Sequence, residues 1–152
     1  MLQDEVQILR QVPLFSRVAP AKLKLLAFAS DRVSYRVGEV LFHQGEAGDA
    51  AYVILSGRAD ILTDSANGAI KVAELDYNTI VGEIAILCDI ARTATVQATM
   101  PIEALRIRKD VFLKLLADYP EMAIEIMRVL ADRLNRTTTE LTEARSQIKS
   151  IH

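Results

Sequence analysis

The chain has 152 residues, 51% of them hydrophobic and 25% charged, enough for one folded domain with a buried core. Its formal net charge of −2 and the lack of a basic run give no bulk attraction to nucleic acid or an anionic membrane, so neither DNA nor membrane contact is expected. One cysteine, Cys88, excludes an internal disulfide, no apolar stretch approaches the roughly 20 residues that cross a bilayer, and the acidic start MLQDEVQILRQ is unlike a secretory leader. A cytoplasmic protein is expected.

Leu2, Val6 and Leu9 recur in steps of four and three, so residues 2–11 read as a short amphipathic helix that Pro13 ends. Pro20 opens a second helix, with Leu23, Leu26 and Ala27 on its apolar side. From about Arg32 to Arg108 the texture changes to short β-rich runs punctuated by Gly, Asn and Asp. Residues 52–55, 59–62, 70–73 and 102–107 read as strands. Asn67-Gly68 is a hairpin signal, because both residues tolerate positive φ. Many short strands with such turns predict a sandwich or jelly-roll barrel.

The last third is helical. Residues 110–116 form a short helix, and Pro120 starts a final one that meets no further Pro or Gly before His152. Met127, Leu130, Leu134, Thr137, Leu141, Ala144, Ile148 and Ile151 alternate in steps of three and four, an a/d heptad seam. With Met127 at a, Glu140 falls at g and Arg145 at the following e, an opposite-charge pair across two parallel helices. The first turns, 122–130, are expected to pack back on the barrel, and Leu141, Ala144, Ile148 and Ile151 are expected to be left for a partner helix to cover. A parallel homodimer through this helix is the expectation. The fold reading is mainly β with flanking helices: one domain over 1–152, with N-terminal helices at 1–30, a β-barrel at 31–108 and C-terminal helices at 109–152.

One segment concentrates polar chemistry. Gly82-Glu83-Ile84-Ala85 is followed by Arg92-Thr93-Ala94-Thr95-Val96. Gly82 permits a tight turn and close backbone approach. If Glu83 opens a short helix, its first amides lack intrahelical partners and form a phosphate receptor. Glu83 is an acceptor suited to a ribose hydroxyl, and Arg92 can pair bidentately with phosphate oxygens. Together they suit a small anionic sugar phosphate.

The stretch VGEIAILCDIARTATV resembles the phosphate-binding cassette of cyclic-nucleotide-binding domains, here residues 81–96. Upstream, Gly38-Glu39-Val40-Leu41, Gln44-Gly45-Glu46, Asp49, Tyr52, Ile54 and Gly57 match the same family's barrel signature in order. The resemblance runs from about Val12 through the C-terminal helix and is nearest in style to the bacterial Crp/Fnr-like branch. It implies a β jelly-roll with a long dimerisation helix and a ligand that is cyclic AMP or cyclic GMP. By position, Glu83 matches the acceptor of the ribose 2′-hydroxyl and Arg92 the partner of the cyclic phosphate. Ile84 and Ala85 match residues whose amides face that phosphate. Thr93 matches a position that reaches phosphate or base, and Ala94 a small residue beneath the ligand. Val81 stands where Phe is usual and Ala91 where Pro is usual, changes expected to shrink an apolar anchor and loosen the loop.

Thr137 and Thr138 interrupt the seam with hydroxyls that need partners. They are either a polar notch fixing dimer register or, as the resemblance implies, a match to a Thr-Ser pair that contacts the adenine amino group across the dimer. His43 and the terminal His152 are too few for a metal-dependent enzyme on a similar jelly-roll. Cys88 lacks a local basic partner and reads as inert. No catalytic residue, metal or cofactor is expected. The reading is a non-catalytic sensor signalling through its helix dimer to a separate, unidentified protein. The competing readings are a fragment of a cyclic-AMP-responsive transcription regulator, whose helix-turn-helix is absent from these residues, and a dimerisation module with a degenerate pocket.

Overall fold

The computed structural model describes residues 2–151, and the side chains of these apart from residues 2–4, 129, 133, 137 and 148–151. Two helices, α1 (Leu2–Gln11) and α2 (Pro20–Ala29), flank a single 3-10 turn at Pro13–Phe15. Eight strands follow: β1 (Asp31–Tyr35), β2 (Val40–Phe42), β3 (Ala50–Ser56), β4 (Ala59–Ser65), β5 (Gly68–Leu75), β6 (Thr79–Val81), β7 (Thr95–Ala98) and β8 (Ile102–Arg108). A short helix α3 (Glu83–Leu87) interrupts them between β6 and β7, and α4 (Lys109–Asp118) and α5 (Pro120–Ile151) close the described chain.

The strands form two four-stranded antiparallel sheets, ordered β1-β8-β3-β6 and β2-β7-β4-β5, the layers of a jelly-roll-like barrel. The fold class is as the sequence predicts. β3 explains how barrel and helices hold together. Its side chains alternate between faces, yet every residue from Ala50 to Leu55 is buried. Ala50, Tyr52 and Ile54 point into the barrel with Phe42, Val81 and Val96. Ala51, Val53 and Leu55 face the opposite way, where Leu9, Phe15, Leu23, Phe112 and Met122 cover them. β8 divides likewise, with Ile102 and Ala104 inside and Leu105 and Ile107 under the helices. A strand buried on both faces reads as the unbroken apolar run AAYVIL.

The hairpin between β4 and β5 differs in detail from the expectation. Ser65 pairs with Gly68, so Ala66 and Asn67 are the turn residues, and only the glycine takes positive φ, at 100°. The seam of α5 splits, and within 122–130, the stretch expected to pack back, Met127 is left exposed because Met122 and Ile126 lie on the face turned to the helical layer. Met122 and Ile126 are buried against the helical layer with Leu130 beside them, while Met127 (60%), Leu134 (67%) and Leu141 (53%) are solvent-exposed. The Thr137, Ile148 and Ile151 side chains of the expected seam lie outside the described residues. Among the described residues no helix is long and apolar enough to cross a membrane.

Phe112 is fully buried where α4 meets β3 and β8. Phe112→Ala is expected to lower stability by about 3–5 kcal/mol, from lost transfer energy plus a residual cavity. Urea unfolding of both proteins measures it.

Candidate ligand site

The two sequence motifs, 44–46 and 82–96, are far apart in the chain and meet at one place. Arg92 N–H donates to Glu46 O at 2.8 Å, Gly45 N–H donates to Arg92 O at 2.9 Å, and Ala47 forms a lone antiparallel bridge with Ala91. Gln44 N–H donates to Thr95 Oγ1 at 2.9 Å, and Gln44 Oε1 accepts from Asp64 N–H at 2.9 Å. The Gln-Gly-Glu turn therefore clamps the backbone on which Arg92 sits. Ala91, where a loosening was expected, is held by that bridge. The Glu46 carboxylate accepts from His43 N–H and lies 3.0 Å from His43 Nδ1, and these contacts hold its pKa below the usual glutamate value.

From this backbone the Arg92 side chain turns inward, and the residue is only 3% exposed. Its guanidinium lies 4.1 Å from the Phe42 ring centroid. Nη1 donates to Gly82 O at 2.8 Å and Nη2 to Ala50 O at 2.6 Å. Asp49 is 3.6 Å from Nη2 and also lies 3.1 Å from Arg106, which in turn reaches Asp31 at 3.5 Å. Burial is the main reason the Arg92 pKa is lowered, with Asp49 and Glu46 opposing it; a guanidinium remains charged all the same. Carbonyl dipoles and an aromatic face stabilise this cation, and the Asp49 carboxylate beside it is shared with a second arginine. Nε is buried with no hydrogen-bond partner. A buried, partly compensated cation with an unpartnered N–H is suited to an anion.

Gly82 makes this arrangement possible. It adopts the left-handed conformation, φ 88°, at the start of α3, and a Cβ built there would lie 2.6 Å from Arg92 Nη1 and 3.2 Å from Phe42. Glu83 follows, buried in the first turn of α3. By helix geometry the amides of Glu83, Ile84 and Ala85 have no intrahelical acceptor. α3 is seated closely on Gly48, where a Cβ would come within 2.5 Å of the Ala85 Cβ.

Gly82, Glu83, Ile84, Ala85, Arg92, Thr93 and Ala94 together line a cavity of about 90 Å³. Phe42, Ile61, Leu75, Ile80, Val81 and Val96 supply its apolar wall. The cassette residues singled out in the sequence thus converge, with Thr93 exposed at the edge and Ala94 half-buried. Thr138 is not among the lining residues and is exposed on α5, and the Thr137 side chain lies outside the described residues. Two contributors were not assigned a role from the sequence: Phe42 under the guanidinium, and Asp49 between the two arginines. Asp49 stood in the quoted signature, and its carbonyl also accepts from Lys109 N–H at 2.9 Å, tying the site to the first residue of α4. Among the described residues no group of three or more His, Cys, Asp or Glu could hold a metal ion.

A methyl group at position 82 both strains the backbone and displaces Arg92. Gly82→Ala is expected to cost about 1–3 kcal/mol, read by urea unfolding, and to shift the Arg92 side-chain NMR resonances before any ligand is added.

Comparison with known proteins agrees with this geometry. The family model described as "Cyclic nucleotide-binding domain" matches residues 32–119. A lysophospholipase NTE1 of Phaeosphaeria nodorum is 27% identical over 146 residues, 95% of this chain but 10% of that protein. This chain therefore spans about a tenth of the length of such relatives. A CRP-like cAMP-activated global transcriptional regulator of Mycobacterium tuberculosis is 28% identical over 138 residues, covering 90% of this chain and 62% of that protein. Among solved structures, the sensor domain of the transcriptional regulator DNR from Pseudomonas aeruginosa superposes with a TM-score of 0.80 at 26% identity, covering 91% of this chain and 94% of that one. With its barrel, its cassette and more than half its length accounted for in this way, the chain belongs to the cyclic nucleotide-binding domain family.

Proposed function

We propose that this chain is a non-catalytic sensor of cyclic AMP, with cyclic GMP as the competing ligand. The observation that carries the reading is the buried Arg92 guanidinium, whose Nε–H has no partner among the described residues. A cyclic phosphodiester bears one negative charge, which matches one incompletely balanced arginine. The amides of Ile84 and Ala85 add donors for the phosphate, and the Glu83 carboxylate accepts from the ribose 2′-hydroxyl. Thr93 faces the phosphate or the base, and Ala94 leaves room beneath the ring. A cavity of about 90 Å³ takes the phosphate end alone, since sites for whole ligands run to roughly 300 Å³ or more. The base therefore lies across the open mouth, within reach of a second element.

In this proposal that element is α5 of a parallel homodimer, presenting Thr137 and Thr138 to adenine. The exposed Met127, Leu134 and Leu141 supply the apolar seam that such a dimer covers. Output follows a continuous route: phosphate engages Arg92, Arg92 pairs with Asp49, and the Asp49 carbonyl holds the N-terminus of α4. The segment from Arg108 to Pro120 then acts as the hinge for α5. A ligand moves this equilibrium only by its different affinity for the two helix arrangements. The downstream partner is a separate protein or a further part of a longer one, and the setting is cytoplasmic. We assign the domain no catalytic step, metal or cofactor, and no direct contact with DNA or membrane.

Calorimetric titration of unfolded-and-refolded protein, freed of co-purified nucleotide, tests the ligand. Saturable binding of cyclic AMP is expected, and Arg92→Ala is expected to cost about 2–5 kcal/mol of affinity, roughly 30-fold or more. Absence of heat with either nucleotide overturns the sensor reading in favour of a dimerisation module with a degenerate pocket. The dimer has its own test. Leu134→Glu is expected to convert a dimer to a monomer in sedimentation velocity while leaving the melting temperature of the barrel unchanged, and a monomeric parent chain rejects this part of the proposal.

A further inference from the structure

Away from the ligand site, α2 shows an unusual distribution of apolar residues. Leu23, Leu26 and Ala27 are buried against the sheet, yet Leu25 is 60% and Phe28 81% exposed on the outer side. Apolar residues on a surface helix normally face the core, and here Leu25 and Phe28 face solvent beside Lys22 and Lys24. Leu25 and Phe28 are three residues apart and share a face. Beside them runs a groove of about 200 Å³ between α2 and α4, lined by Lys22, Leu25 and Ala29 from one helix and Val111, Lys114 and Leu115 from the other.

Charge indicates what covers it. α2 itself carries two cations, Lys22 and Lys24, and no carboxylate, in a chain whose net charge is −2. Lys22 and Lys114 line the groove from its two walls, and among the described residues neither makes an ion pair. Asp118, in the last turn of α4, marks the groove's far end near Tyr119. Two adjacent helices with a trough between them form the seat on which a third helix packs, its apolar residues filling the trough.

We propose that the α2–α4 groove docks an acidic amphipathic helix of a partner protein. Apolar side chains at i and i+3 or i+4 of that helix enter between Leu25 and Val111, and carboxylates on its flanks pair with Lys22 and Lys114. The concavity favours a helix over an anionic bilayer, which offers no side chains to fill a trough, and Asp118 places the partner's carboxylates toward the Lys22 and Lys114 end. The inference is independent of the nucleotide reading: no residue of the groove lines the ligand cavity. It places a partner contact on α4, the helix whose first amide is bonded to Asp49.

Selection of a displayed library of 16-residue peptides against the full chain tests it. Recovered sequences are expected to combine Asp or Glu with apolar residues at helical spacing. Their affinity is expected to fall tenfold or more for the double variant Lys22→Glu/Lys114→Glu and for Leu25→Ser, with the thermal midpoint of each variant unchanged. Peptides that lack acids, or that bind the variants equally, overturn the proposal. So does lysine-dependent binding of phosphatidylserine vesicles without peptide binding, which would make the surface a membrane contact. Self-association lost in Leu25→Ser overturns it too, by making the occupant a second copy.

Discussion

The candidate site depends on one buried guanidinium. Arg92 is almost wholly removed from solvent, and removing a cation from water is costly unless polar groups replace the lost hydration. Here the replacements are the carbonyls of Gly82 and Ala50, the face of Phe42 and a distant share of Asp49. Each of these fixes a neighbouring part of the structure. The Gly82 carbonyl sets the entry to α3, Ala50 opens β3, Phe42 ends β2, and the Gln44-Gly45-Glu46 turn grips the backbone on either side of the arginine. Motifs from both halves of the barrel are thereby brought around one charge.

Because β3 is buried on both faces, the same strand serves the barrel interior and the helical layer. Ala50 meets the arginine on one side of the pleat, and Ala51 and Val53 lie under α1, α2 and α4 on the other. Asp49, just before this strand, touches Arg92, Arg106 and the first amide of α4. A displacement of Arg92 toward an anion therefore changes the partners of a residue that also holds a helix. No long chain of intermediates is needed to couple the cassette to α4.

Much of this was legible in the sequence, for identifiable reasons. The α1 boundaries, β3, β8 and the helix after Pro120 carry strong local signals: strict periodicity, an unbroken apolar run, or proline punctuation. β2 and β6 are three residues each, and β1 opens on the exposed pair Asp31-Arg32 and offers only Val33 and Tyr35, both half-buried, so the signal is too short to announce them. The β4–β5 hairpin was located correctly but its turn was shifted by one residue, because Gly68 alone supplies the left-handed conformation. In the site, residues adjacent in sequence were readable as one cassette. Phe42 and Asp49 act on Arg92 across more than forty residues, and such contacts exist only once the strands are paired. Thr138 is exposed on α5 beyond its contact with the helical layer, so a single chain does not bring it to the cavity.

The central claim is that Arg92, whose Nε–H has no partner among the described residues, is held in place to pair with an anion. The most direct test is NMR observation of the Arg92 Nε–H group, assigned through the loss of its signal in Arg92→Lys, before and after saturation with cyclic AMP. The account predicts a weakly bonded Nε–H in the free protein that moves strongly downfield and exchanges more slowly with water when the phosphate arrives. An Nε–H resonance unchanged at saturating cyclic AMP would contradict it, because the nucleotide would then be held without the arginine around which the site is built.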